Sequence, residues 1–348
     1  MKKLFSCVLA FVLALSLLSV SGTASAEEAA AAPKKRIVTT IFPIYDWVMN
    51  VLGEQAENAE VSMLLDNGVD LHSYQPTADD IVRISGCDLF IYVGGESDEW
   101  VRDALQEATN KNMTVINLME ALGDSVKEEE LVEGMEHDHE HAQEEDHDHE
   151  EEHDHEQEED HDHDAEAEEA EYDEHVWLSL KNAVVLCRAI AEALGQIDRE
   201  NAACYTANAE AYTEKLNTLD AQYQAAVDAA ALHTLLFADR FPFRYLADDY
   251  ALDYYAAFVG CSAETEASFE TIIFLAGKLD ELGLPAVLQI ESADGSIART
   301  VVESTQSRDQ QILTMDSMQS TTAKDVAAGA NYLSIMEKNL DILKAALG

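Results

Sequence analysis

Residues 128–174 hold 27 Asp or Glu and not one Lys or Arg, and nine of the chain's twelve histidines fall in the same stretch. A segment with that much like charge and so few large apolar side chains buries too little surface to offset the entropy of ordering it, so a disordered loop is expected over residues 128–172. The fold must then be built from two pieces of chain, one on each side of the interruption. Outside the stretch, 42 acids against 21 bases leave −21 of the total charge of −48. Such a surface repels phosphate, which excludes nucleic acid as a partner, and it draws cations toward itself.

The first 26 residues read as a secretory signal. Lys2 and Lys3 precede an apolar run over residues 4–20, and Ala24-Ser25-Ala26 offers a small-x-small cleavage site. The chain is expected to be exported to the periplasm or cell surface and cut after Ala26, with an uncleaved anchor as the alternative. Cys7 lies inside the apolar run, not at its end, so there is no clear lipobox. Cys87, Cys187, Cys204 and Cys261 form no C-x-x-C pair. They read as buried free thiols, although export leaves a disulfide open.

Strand and helix patterns alternate on both sides of the acidic stretch. Strands are expected at residues 36–42, 61–65, 88–93 and 113–117, with helices at 44–52, 77–84 and 99–108 between and around them. Beyond the acids, Ser179 is placed to cap a helix over 180–194, and residues 200–230 run without Gly or Pro. Alternation then resumes, with strands at 234–238, 254–258, 286–290 and 312–315 and helices at 243–249, 269–282, 296–304 and 322–347. The expected fold class is α/β: two parallel-sheet lobes, residues 27–178 and 231–348, with a helical region over 179–230 that includes a long spine helix joining them.

Within the acidic stretch, His137, His139, His141, His147, His149, His153, His155, His161 and His163 occur mostly as His-Asp-His or His-Glu-His. Imidazole beside carboxylate suits Zn²⁺, Cu²⁺ and Ni²⁺, and an unfolded segment is expected to hold several ions weakly. His72, His175 and His233 are the others. His72 lies in the loop Asp70-Leu71-His72-Ser73-Tyr74-Gln75-Pro76, and His175 in Asp173-Glu174-His175-Val176-Trp177, where the acidic stretch returns to ordinary composition. Loops after strands are where α/β folds place ligands.

Several motifs taken in order resemble the ZnuA/TroA-like solute-binding proteins of zinc and manganese ABC importers. They are Thr39-Thr40-Ile41-Phe42-Pro43, His72-x-Tyr74-x-Pro76, Asp173-x-His175-Val176-Trp177 behind a His/acid insertion, Gly260-x-Ser262-x-Glu264-x-Glu266-x-Ser268, and Glu291 after a late strand. The resemblance covers essentially the whole chain beyond the signal. It implies a divalent cation, Zn²⁺ or alternatively Mn²⁺, in the cleft between lobes, carried as cargo by a monomer to an ABC transporter membrane permease. His72 and His175 would be ligands from the first lobe. The family draws a third ligand from the loop after the first strand of the second lobe, where this sequence has Phe237-Ala238-Asp239-Arg240-Phe241 and no His. Arg cannot ligate a cation, which leaves Asp239 as the ligand or as an ion-pair or capping residue. Asp316 matches a further ligand of manganese-binding relatives, Glu291 is another carboxylate of the second lobe, and His233 is expected to face away.

No H-E-x-x-H helix or G-x-S-x-G elbow is present, so the chain is read as a binding protein and not an enzyme. A secreted zinc-dependent hydrolase with Glu174 as its base is one rival reading. A metal-buffering adhesin not coupled to transport is another.

Overall fold

In a computed structural model, the structure describes residues 33–136, 171–262 and 266–348. Residues 1–26, where a secretory signal is expected, and all nine histidines of the acidic stretch lie outside the described residues.

The first sheet is seeded by β-branched and apolar runs. β1 (Lys35–Thr39), β2 (Ala59–Met63), β3 (Leu89–Tyr92) and β4 (Thr114–Asn117) are all parallel, in the order β2-β1-β3-β4. The first helix, α1 (Phe42–Leu52), begins earlier than the spacing predicts, because Pro43 sits in its first turn, where a missing N–H costs nothing. α2 (Ala78–Gly86) starts at a capping box in which the Thr77 and Asp80 side chains each take the other's backbone N–H. α3 (Trp100–Gln106) and the single turn α4 (Leu118–Leu122) complete the lobe.

α5 (Leu180–Ile197) is capped by Ser179 Oγ, which accepts from Asn182 N. α6 (Ala202–Ala229) has 28 residues, about 42 Å of helix at 1.5 Å per residue. It packs along α5 and also on α1 and the C-terminal helix, so it joins the lobes through shared core and is not a bare strut.

The second sheet repeats the first: β5 (Thr234–Phe241), β6 (Asp253–Val259), β7 (Ala286–Ile290) and β8 (Gln311–Met315), all parallel, in the order β6-β5-β7-β8. Helices α7 (Arg244–Asp249), α8 (Phe269–Leu282) and α9 (Ser296–Ser304) connect them. Both faces of this sheet are covered. Leu235 and Phe237 of β5 join the large core that runs through the first lobe and the helical region, while Leu236 and Ala238 join a second cluster under α8 and α9. This is the two-sided burial expected of parallel strands.

One helix predicted over residues 322–347 is two. α10 (Ala323–Ala327) ends, Gly329 at φ +101° turns the chain, and Asn331 caps α11 (Tyr332–Leu347) by accepting from Ser334 N. Gly and Asn supply a stop and a fresh start that the apolar spacing alone conceals.

The edges of the acidic stretch also depart from the sequence reading. Residues 128–136 and 171–172 pack. Glu129 N donates to Glu171 O at 2.9 Å, Glu128 bridges Tyr172, and Glu136 N donates to Ala257 O at 2.9 Å. Val132 and Met135 lie against the core. Their acids meet cations of the second lobe, Glu130 on Arg244 at 3.0 Å and Glu133 on Lys278 at 3.7 Å. Composition averaged over the stretch hides these few apolar side chains, and it says nothing of bases brought in from elsewhere in the chain.

Candidate metal centre

The site is assembled from loops beyond the carboxyl ends of the strands, the crevice where parallel α/β sheets bind ligands. After β2, Asp70 opens a 3₁₀ turn over Leu71–Ser73 by accepting from His72 N at 3.1 Å, and this fixes the backbone of His72. His175 is set by its neighbours: Val176, Trp177 and Leu178 form a second 3₁₀ turn and are fully buried. Trp177 Nε1 donates to Ser317 O at 2.9 Å and Tyr332 Oη donates to Trp177 O at 2.6 Å, so His175 is held against both lobes.

Each imidazole has its Nδ1 occupied. Asp173 Oδ1 accepts from both the backbone N (2.8 Å) and Nδ1 (3.0 Å) of His175. His72 Nδ1 lies 2.9 Å from Ser97 Oγ and 3.4 Å from Glu174 Oε2. Glu174 is in turn fixed by Ser97 N, which donates to its Oε1 at 2.8 Å. Gly95, at φ +81°, lets that loop close on Glu174, since a Cβ there would overlap the carboxylate. Carboxylates beside Nδ1 select the tautomer with the proton on Nδ1 and the lone pair on Nε2.

The two Nε2 atoms face each other at 3.1 Å. Two lone pairs at that distance repel unless something positive lies between them. A proton will do, and so will a metal: ligands at 2.0–2.1 Å in tetrahedral array stand roughly 3.3 Å apart. The protonation balance agrees. Burial, with the neighbouring His175 adding to it, drives His72 down to about 3. Burial also opposes a charge on the fully enclosed His175, but the charge and hydrogen bond of Asp173 outweigh it and raise that ring above its ordinary value. A proton taken up by the pair is therefore held on the His175 side, and a metal would have to displace it.

Cys261 Sγ completes a group with His72 and His175 in which the three ligand atoms lie within 4.8 Å of one another. Among the described residues no oxygen of Asp239, Glu291 or Asp316 joins that group. The three carboxylates are occupied elsewhere. β5 and β6 slip register between Phe237 and Arg240. There Asp239 takes Arg240 N at 2.8 Å and Ile290 N at 3.0 Å, standing in for ladder bonds between β5 and β7. Glu291 accepts from Ser317 N at 2.7 Å and Oγ at 3.0 Å, and from Ser320 Oγ at 3.1 Å. Asp316 takes Met318 N at 2.8 Å, and burial followed by the charge of Glu291 raises it to about 6. Arg240 Nη2 reaches across to Asp70 Oδ2 at 2.8 Å, and its Nη1 donates to Ser262 O at 3.2 Å.

A cavity of about 240 Å³ opens on the group. It is lined by His72, Cys261, Ser97, Tyr172 and four glutamates: Glu96, Glu129, Glu171 and Glu174. Glu129 and Glu171, joined by the Glu129 N to Glu171 O hydrogen bond, both belong to the ordered edges of the acidic stretch, so those edges meet at the mouth of this cavity. The sequence reading passed over Ser97 and the orienting role of Asp173. It set Cys261 aside as a thiol to be buried, although its place just after a strand of the second lobe, beside Gly260, was visible. Gly260 permits the approach: a Cβ there would lie 2.9 Å from Phe241 O and 3.0 Å from His175 Cε1. All four cysteines among the described residues are free.

Known proteins are similar to this chain over most of its length. The family model described as zinc-uptake complex component A, periplasmic, matches residues 37–346. Zinc-binding protein AdcA of Streptococcus pyogenes is 29% identical over 322 residues, 92% of this chain and 57% of that protein, so the chain spans little more than half of that relative's length. High-affinity zinc uptake system protein ZnuA of Bacillus subtilis is 26% identical over 341 residues, 97% of this chain and 96% of that one. The Zn(II)-bound ZnuA-like domain of Streptococcus pneumoniae AdcA superposes with a TM-score of 0.66 at 27% identity, covering 90% of this chain and 99% of that structure.

Proposed function

The chain belongs to the family of periplasmic zinc-uptake complex component A, and from that premise we propose that it captures Zn²⁺ between His72 and His175 outside the cytoplasm and hands it to the membrane permease of an ABC importer. The observation that carries this is the pair of Nε2 atoms aimed at each other at 3.1 Å, with both Nδ1 atoms tied to oxygens. A His pair built for hydrogen bonding alone needs no carboxylate behind each ring. The glutamates of the cavity mouth concentrate cations, and the histidines of the acidic stretch add weak sites by their residue chemistry. The Zn²⁺ reading is favoured over Mn²⁺ because two imidazoles and a nearby thiol suit the softer ion.

The test is zinc titration of the mature chain. One tight site is expected, weakened about a hundredfold or more by His72→Ala or His175→Ala, since structural zinc sites of four ligands are worth roughly 10–16 kcal/mol. Removing residues 137–170 should take away weak sites only; loss of the tight site with them would refute the cleft assignment. Growth under chelation, in cells whose own binding protein is replaced by this chain or by its His175→Ala form, separates delivery from buffering.

A further inference from the structure

We propose that Cys261 is the third protein ligand of this site, bound as a thiolate, and that it makes the site select thiophilic divalent cations over oxygen-seeking ones such as Mn²⁺ and Mg²⁺. The inference rests on the capture reading above and names the class of ion that the same cleft takes.

Topology is the first argument. The two sheets share one strand order, in which β6 holds the place in the second lobe that β2 holds in the first. His72 lies in the loop after β2, and Cys261 lies two residues past the end of β6. Each lobe thus contributes a metal-binding atom from the loop beyond its corresponding edge strand, and His175 stands between them.

Distance is the second. Sγ and one ring nitrogen of each histidine all fall within 4.8 Å of one another. Around zinc, sulfur at about 2.3 Å and nitrogen at about 2.0–2.1 Å stand roughly 3.6 Å apart in tetrahedral array. A closure of about an ångström, taken up by side-chain rotation, therefore suffices. The thiol gives up its proton as the cation binds.

Arg240 is the third. It occupies the position where a second-lobe ligand was expected, yet it is a permanent cation. Its guanidinium holds Asp70, whose other oxygen accepts the backbone N–H of His72, and it also holds the carbonyl of Ser262, next to Cys261. One side chain therefore fixes both ligand loops across the cleft, which makes Arg240 a positioning residue. On the opposite side, Cys261 N donates to Glu129 Oε1 at 3.1 Å.

A fourth observation is independent of the cysteine. Glu174 Oε2 makes no hydrogen bond although its side chain is 3% exposed, and Glu174 lines the same cavity. That oxygen lies 3.4 Å from His72 Nδ1, so a cation on Nε2 of the same ring would offset its buried charge through the imidazole. Softness decides the rest: thiolate and imidazole favour zinc-like ions, while Mn²⁺ and Mg²⁺ favour carboxylate, carbonyl and water.

The test loads the mature chain with one equivalent of Co²⁺ and, separately, of Zn²⁺. Wild type should show sulfur-to-cobalt charge-transfer absorption in the near ultraviolet, and Cys261→Ser should lose it while still binding cobalt. Zn²⁺ should protect Cys261 from iodoacetamide, read by peptide mass, and leave Cys204 as reactive as before. Cys261→Asp should narrow the Zn²⁺-over-Mn²⁺ preference at least tenfold. Cobalt bound without charge transfer, or zinc bound with Cys261 still alkylated, overturns the thiolate ligand and leaves zinc capture standing. Failure of wild type to bind either ion tightly overturns both. The alkylation measurement uses wild type alone, so it decides the matter even if the variants fail to fold.

Discussion

The first lobe and the second lobe both bring polar side chains to the cleft, but they use them differently. On the first-lobe side each histidine has one ring nitrogen held and the other left facing its neighbour. On the second-lobe side Asp239, Glu291 and Asp316 accept backbone N–H groups or hydroxyls of their own lobe. Proximity to a cleft therefore does not make a ligand. What matters is whether an electron pair is left over once the backbone has been satisfied, because an unpaired backbone N–H is too costly to leave buried.

The sharpest way to break this comparison is to treat matching residues of the two sides alike. His175→Ala should cost about 3 kcal/mol or more of zinc binding by titration, whereas Asp239→Asn should leave affinity within a few-fold; a hundredfold loss with Asp239→Asn would return that carboxylate to the ligand set. Next in size, Asp173→Asn keeps the shape of the His175 support and removes its charge. Loss of such a supporting carboxylate typically costs 10–100-fold in metal affinity, and competition with a chromogenic chelator would read it.

Glu291→Gln should act on stability instead. It weakens the anchoring of Ser317 and Ser320 and should cost roughly 2 kcal/mol in denaturant unfolding of the metal-free chain, with zinc affinity unchanged. The smallest effect concerns Asp316. Its carboxyl is raised by burial to about 6 from 3.8. A raised carboxyl binds its proton more tightly folded than unfolded, so its contribution is present below pH 3.8 and is lost as pH rises through about 6. After allowance for partial exposure, the slope amounts to about 1.5 kcal/mol across that window. Asp316→Asn should flatten it equally with and without zinc. Flattening only in the metal-free protein would mean that zinc itself had been setting the charge of Asp316.

The legibility of the sequence followed the range of the interactions involved. β7, α8 and α9 match their expected bounds, because strand composition, the Ser268 cap and the periodicity over each helix are local signals. The break at Gly329 was missed, since the apolar spacing carries on past it. The ordered edges of the acidic stretch were missed because their stability comes from Arg244, Lys278 and the β6 backbone, all more than a hundred residues away in sequence.

The sequence alone determined the two α/β halves and the acidic interruption, which follow from composition and periodicity, and it paired His72 with His175 as metal-binding candidates through the resemblance of their motifs to a known family. Tertiary structure decided which second-lobe atom faces them. The register slip after Phe237 turned Asp239 into its own sheet and left the guanidinium of Arg240 bridging the cleft, and the missing Cβ of Gly260 let Cys261 come close. Those choices depend on hydrogen bonds and contacts between segments distant in the chain, which no local pattern of residues encodes.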